Sequence, residues 1–247
     1  MKSTHIIYRR FTLNKLPFIH ILILFLISGC MSIHTASSKG NFPEVKRQLS
    51  WGVNPNTRTF WYYDTPLHAA AAYGRISVVK LLLEEGADAN AGNENSETPL
   101  HYAARHGHTQ VMEILIKYGA DIDAEARTFG TPLQWAAGNG QILAAKLLLA
   151  NGADINRKGI GDRTALSDAA SHGQAEMVEF LISQGADVNT RAFYGCTPLH
   201  FAAFVNNVQT GRILIEHGAD PNLDFNGEKV PESFLALLQQ EKEPNNP

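Results

Sequence analysis

The residues that could do chemistry are few. The chain holds two cysteines, Cys30 and Cys196, and eight of its ten histidines lie after residue 29. A serine hydrolase would carry G-x-S-x-G, a phosphate-binding loop G-x-x-x-x-G-K-[ST], and a zinc protease H-E-x-x-H; none of these occurs. Two cysteines also exclude a disulfide-rich scaffold. A metal site would need several ligands converging. His68, His101 and His200 recur in one register, but Gln134 and Ser167 stand at the two places between them, which a ladder of metal sites would not tolerate. His106-Gly107-His108 reads as a helix end, and Ser171-His172 lacks a third member. No catalytic residue, no metal and no cofactor is therefore expected, and the work of the chain falls to its surface.

The N-terminal segment reads as an address. Lys2, Arg9, Arg10 and Lys15 precede the apolar run Leu16 to Ile27, and Ser28-Gly29 follow, the layout of a secretory signal peptide. The run is shorter than the ~20 apolar residues that cross a bilayer, and Pro17 with one-sided bases argues against a core helix. Ile27-Ser28-Gly29-Cys30 is similar to the lipobox of bacterial lipoproteins. That resemblance implies cleavage after Gly29, lipidation of Cys30 and, with Met rather than Asp at 31, an outer-membrane anchor facing the periplasm. It also leaves Cys196 without an internal partner, either tucked away or a reactive thiol. Initiation at Met31 would yield the same body as a minor cytosolic form. The first 29 residues hold four bases and no acid, so the −3 of the whole chain becomes −7 without them. An acidic body of this kind is a poor nucleic-acid binder.

The elements that position the rest repeat every 33 residues. Thr65-Pro66-Leu67-His68 returns as Thr98-Pro99-Leu100-His101, Thr131-Pro132-Leu133-Gln134, Thr164-Ala165-Leu166-Ser167 and Thr197-Pro198-Leu199-His200. Gly86-Ala87-Asp88 returns in the same register at Gly119, Gly152, Gly185 and Gly218. Thr is a helix N-cap and Pro suits the first helical position. Alanine pairs such as Ala69-Ala70 give a slim first helix, which Gly74, Gly107, Gly140 and Gly173 end, with Asn206 in that place in the fifth copy. A second helix follows, as in Val78-Val79-Lys80-Leu81-Leu82-Leu83. Thr210-Gly211 should weaken the second helix of the fifth copy, since glycine costs about 1 kcal/mol relative to alanine.

This pattern resembles the ankyrin repeat family, and the resemblance implies an all-α solenoid of helix-turn-helix units with loop tips. The expected organisation is a signal peptide at 1–29, lipidated Cys30 and a polar tether at 30–39, and an N-terminal partial repeat at 40–56. Five full repeats follow at 57–225, then a capping helix and polar tail at 226–247. In that family the tetrad His bonds locally within its repeat, and partners bind the concave side, formed by the tips and first helices. Carried over repeat by repeat, the candidate partner-binding residues are Trp61, Tyr62, Tyr73, Arg105, His106, Arg127, Asn139, Lys158, Arg163, His172, Phe193, Tyr194 and Phe204. Aromatics gather towards the two ends and bases at the centre, residue types that often dominate interfaces.

Two features stay open at this level. Phe60-Trp61-Tyr62-Tyr63 either cover Trp51 or anchor a partner, and Arg105, Arg127, Lys158, Arg163 and Arg191 are either a solvated face or a match for an acidic patch. The combination resembles small bacterial ankyrin lipoproteins that act as immunity proteins. That resemblance implies non-catalytic binding and neutralisation of one secreted antibacterial toxin, such as a phospholipase of a type VI secretion system. The alternative is an envelope scaffold that holds a periplasmic enzyme. An effector acting on a host cell fits poorly with a lipobox.

Overall fold

Each tetrad starts a helix by the same local device. In the computed structural model, which describes residues 31–240, the Thr65 N–H donates to Nδ1 of His68 at 3.1 Å, while Thr65 Oγ1 accepts the His68 N–H. This reciprocal capping satisfies two amide donors that a helix start leaves unpaired. Because Nδ1 accepts, the ring proton sits on Nε2, which donates to the Glu97 carbonyl in the next repeat at 2.8 Å. His101 does the same to Gly130 O at 2.9 Å. Gln134 reproduces both roles: Oε1 accepts from Thr131 N–H at 2.9 Å and Nε2 donates to Arg163 O at 2.8 Å. The position needs one acceptor and one donor at the right reach, so an amide serves as well as an imidazole.

Thirteen α-helices and no strand occur among the described residues. They are α1 (Ile33–Lys39), α2 (Phe42–Ser50), α3 (Pro66–Ala72), α4 (Ile76–Glu84), α5 (Pro99–Arg105), α6 (Thr109–Lys117) and α7 (Pro132–Gly138). Beyond these come α8 (Ile142–Ala150), α9 (Ala165–Ser171), α10 (Ala175–Ser183), α11 (Pro198–Phe204), α12 (Val208–Glu216) and α13 (Glu232–Gln239). First helices pack in a row from α1 through α3, α5, α7 and α9 to α11, with the second helices behind them. Two leucine rows form the core, Leu67, Leu100, Leu133, Leu166 and Leu199 in the first helices and Leu82, Leu115, Leu148, Leu181 and Leu214 in the second. Asn206 takes the left-handed backbone expected of it, with φ 51°. The signal segment, Cys30 and the tail 241–247 lie outside the described residues. Among those described, no helix is long and apolar enough to cross a membrane.

The N-terminal boundary needs correction. Residues 33–39, expected as a polar tether, form α1, which packs on α3 through buried Ile33, Ala36 and Ser37. The reason is a register of 34 rather than 33: His34 matches His68, Gly40 matches Gly74, and Gly52 matches Gly86. His34 Nε2 lies 3.0 Å from both Thr57 O and Asp64 O, a reach into the following tip like that of His68. The partial repeat of 40–56 is thus the second half of a complete helix pair. The extra residue is absorbed in the first tip, where Asn56 Oδ1 accepts the Asp88 N–H at 2.8 Å, just as Asn90 accepts that of Asp121 at 2.7 Å.

The fifth repeat also differs from expectation. Helix α12 is intact, and Thr210 and Gly211 are buried in it. A Cβ on Gly211 would lie 2.8 Å from Cζ of Phe234 and 2.9 Å from Cδ2 of Leu238. The glycine is the seat of the capping helix α13, whose last carbonyls accept from the Arg212 guanidinium, Leu237 O and Leu238 O each at 3.3 Å.

Candidate interaction face

The tetrad fixes the inward side of each first helix, so the next residue turns towards the tips. Across the repeats this row reads Ala69, Tyr102, Trp135, Asp168 and Phe201, and three residues further on Ala72, Arg105, Gly138, Ser171 and Phe204. At the centre the two rows and the neighbouring tips enclose adjoining clefts. One, of about 100 Å³, is lined by Arg105, Phe129, Trp135, Gly138, Asn139, Asp168 and His172 together with Gln134. The other adds Thr128, Ile160, Arg163 and Ser171.

The floor is polar and closely bonded. Asp168 is 5% exposed, and its Oδ1 accepts from Arg163 Nε at 2.6 Å while Oδ2 accepts from Gln134 Nε2 at 3.1 Å. Burial pushes its carboxyl above the usual carboxylate range, against the pull of Arg163. Arg163 also donates to Ser171 Oγ at 2.7 Å and stacks 4.4 Å from the centre of the Phe201 ring. On the other side, Trp135 is ringed by His101, Tyr102 and Phe129 at centroid distances of 5.6, 5.9 and 5.8 Å. Arg105 lies over its face at 5.4 Å. Behind the third tip, Glu97 accepts from Thr128 Oγ1 at 2.7 Å, from Tyr102 OH at 2.9 Å and from Asn93 Nδ2 at 2.9 Å. Burial alone would raise the Glu97 carboxyl, but these bonds hold it below its ordinary value, so it stays ionised and fixes the tip.

The expected residues divide into groups. Arg105, Asn139, Arg163 and His172 come together in the central clefts. His106 is exposed at the end of α5 and Tyr73 at the end of α3, where Arg75 faces its ring. Phe204 joins Phe201 and Phe225, and Phe193 stacks 4.0 Å from Tyr194 in the fifth tip. Trp61 and Tyr62 sit apart in the first tip, where Phe60 and Trp61 are 82% and 75% exposed and pack on each other at 5.0 Å. These rings do not cover Trp51, which is itself exposed under Arg47. The five central bases are not equivalent. Arg163 is committed to Asp168, and Arg191 faces Asp224 at 3.8 Å, whereas Arg105, Arg127 and Lys158 meet no carboxylate among the described residues.

Sequence reasoning missed Trp135, Phe129, Gly138 and Asp168, although reading the positions beside each tetrad in the 33-residue register would have placed three of them in one spot. Cys196 is settled as tucked away: it is 3% exposed, and burial pushes its thiol up to about 11. Among the described residues, no group of three or more His, Cys, Asp or Glu is placed to hold a metal ion.

The family model described as ankyrin repeats, three copies, matches residues 33–126 and 133–225. The chain belongs to the ankyrin-repeat family. The ankyrin repeat domain of human ASB11 superposes with a TM-score of 0.76 at 28% identity, covering 87% of this chain and 99% of that one. The ankyrin domain of Bcl-3, a member of the IkappaB family, gives 0.68 at 28% identity, covering 84% and 97%. An ankyrin repeat-containing protein of Schizosaccharomyces pombe is 36% identical over 66 residues, 27% of this chain and 31% of that protein. The Arabidopsis thaliana E3 ubiquitin-protein ligase KEG is 39% identical over 69 residues, 28% of this chain and 4% of the ligase. The chain thus spans less than a third of the length of these curated relatives. Ankyrin stacks are in general non-catalytic modules that mediate protein–protein interaction.

Proposed function

We propose that this ankyrin stack is an immunity lipoprotein that binds one secreted antibacterial toxin, most simply a phospholipase of a type VI secretion system, and neutralises it by occlusion. The observation that carries the reading is the face itself: a continuous run of tips and first helices with clefts of mixed polar and apolar lining at the centre and exposed rings towards both ends. Occlusion needs no catalytic group, only enough complementary surface to cover an active site or the face that approaches lipid. Arg105, Arg127 and Lys158 would meet an acidic patch on the toxin and speed the encounter. The exposed rings of Trp61, Tyr62, Phe193 and Tyr194 would supply buried apolar contact once the complex forms.

Lipidation of Cys30 would hold the protein on the outer membrane, facing the periplasm where such a toxin acts. Since α1 begins three residues after Cys30, the anchor would join the stack with no long tether between them. Initiation at Met31 would add a cytosolic pool that meets the toxin before export. The test is deletion of the gene followed by delivery of the toxin from a sibling strain. Sensitisation that is reversed by the wild-type gene, but not by a Trp61→Ala/Arg127→Ala double variant, supports the reading. No loss of fitness on deletion overturns it.

A further inference from the structure

The central cleft has the marks of a socket for a single side chain. The position three residues past the Trp135 row carries Ala72, Arg105, Ser171 or Phe204 in other repeats, but glycine at 138. Gly138 is helical, and a Cβ built on it would meet His172 at 3.4 Å and Asp168 Cβ at 4.0 Å, ordinary contact distances. Packing therefore does not demand glycine there, and a helix interior disfavours it by about 1 kcal/mol relative to alanine. What the glycine does is leave open the space between Trp135 and His172, which is the cleft.

The polar groups around that space are unbalanced. Trp135 is 4% exposed, and its indole N–H has no hydrogen-bond partner, an omission that costs a buried donor about 1–3 kcal/mol. The Arg105 guanidinium lies over the same ring and pairs with no carboxylate among the described residues. Asn139 spends its Nδ2 on the Trp135 carbonyl at 2.8 Å, and His172 Nδ1 lies 2.9 Å from Asp168 O and 3.0 Å from Ser171 Oγ. The carboxylate on the floor, Asp168, is already engaged by Arg163 and Gln134 and offers little to a cation. Trp135 lines the cleft with its indole donor unused beneath the unpaired Arg105 guanidinium, the floor is neutralised, and the ring of Phe129 forms an apolar lip.

We infer that this cleft receives a glutamate-type side chain projecting from the bound protein. Its methylenes would lie against Phe129, and its carboxylate would take a charge-assisted bond from Arg105 and, as the guanidinium swings off the ring, one from the Trp135 indole N–H. The inference rests on the reading that this face binds a protein, but not on which protein.

The test uses the full chain in detergent, 15N-labelled at its three tryptophans, titrated with N-acetyl-glutamate amide. The indole N–H signal of Trp135, assigned with Trp135→Phe, is expected to move downfield saturably. N-acetyl-glutamine amide and N-acetyl-lysine amide are expected to leave it in place. Arg105→Gln should weaken the glutamate effect about tenfold, the loss of one charge-assisted bond. Gly138→Leu, checked for native circular dichroism, should abolish it by filling the cleft. An unmoved Trp135 signal, an equal response to the glutamine or lysine probe, or a full response in both variants would overturn the inference. If toxin protection fails while the probe still binds, the immunity reading falls and the socket stands; the converse result removes the socket alone.

Discussion

Replacing His101 by Gln separates the geometric role of the tetrad residue from its titration. Burial lowers the pKa of the His101 imidazole from 6.5 to about 4, against the opposing hydrogen bond to Gly130 O. Between these values the unfolded chain binds a proton that the folded chain refuses, so this part of the stability is complete above about pH 6.5 and is lost as pH falls towards 4. A shift of this size carries about 3 kcal/mol in full, of which about 2 kcal/mol is lost between about pH 7 and about pH 4.5. Gln134 shows that an amide makes both bonds of the motif without titrating. His101→Gln should therefore cost about 1 kcal/mol or less near pH 7 and remove about 2 kcal/mol from the acid loss. Urea denaturation followed by circular dichroism at the two pH values reads the difference, provided the m-value is unchanged. His68 and His200 are also lowered by burial and keep some slope in the variant. An acid loss in His101→Gln equal to that of the wild type would refute the argument.

Three further outcomes are expected. Gly211→Ala should not yield the stabilisation of about 1 kcal/mol that a helix glycine normally offers, because its Cβ meets Phe234 and Leu238; faster amide exchange in α13 would report the displaced cap. Asp123 accepts the Asp154 N–H but cannot donate as Asn90 does to Gly119 O at 2.8 Å. Asp123→Asn should add that bond and raise stability by about 0.5 kcal/mol, seen as a higher urea midpoint. Cys196 should react with a thiol reagent near pH 8 only at the rate of local opening, and a rate matching an exposed thiol would contradict its burial.

Most of the architecture was legible because the 33-residue register and the capping chemistry agree at every copy. The exception at the N-terminus has a plain cause: Met31-Ser32-Ile33-His34 keeps only the histidine of the tetrad, at a spacing of 34. A search at fixed period passes over it, although His34, Gly40 and Gly52 all keep the shifted register. The site was less legible than the scaffold. Tips and helix ends marked the face, but Trp135, Gly138 and Asp168 lie at positions where the repeat varies, and only their neighbours in space show what the variation does. Gly211 is similar. Its small size looks like a weakness until α13, more than 20 residues later, is seen to rest on it.

Where the side chain at the tetrad's last position reaches a carbonyl in the following tip, as from His34, His68, His101 and Gln134, the bond runs one way along the chain, towards the C-terminus; Ser167 bonds back to Thr164 O instead. The array is therefore polar, like a row of hooks and eyes, and its cut ends are not equivalent. Ending the chain just before Gly130 would strand a buried ring N–H on His101, whereas beginning it after His101 would bare only a tip carbonyl that water can reach. Grafts and truncations that remove whole units from the front should thus be tolerated better than those that remove them from the back. A chimera should be joined downstream of a tip rather than between a hook and its eye.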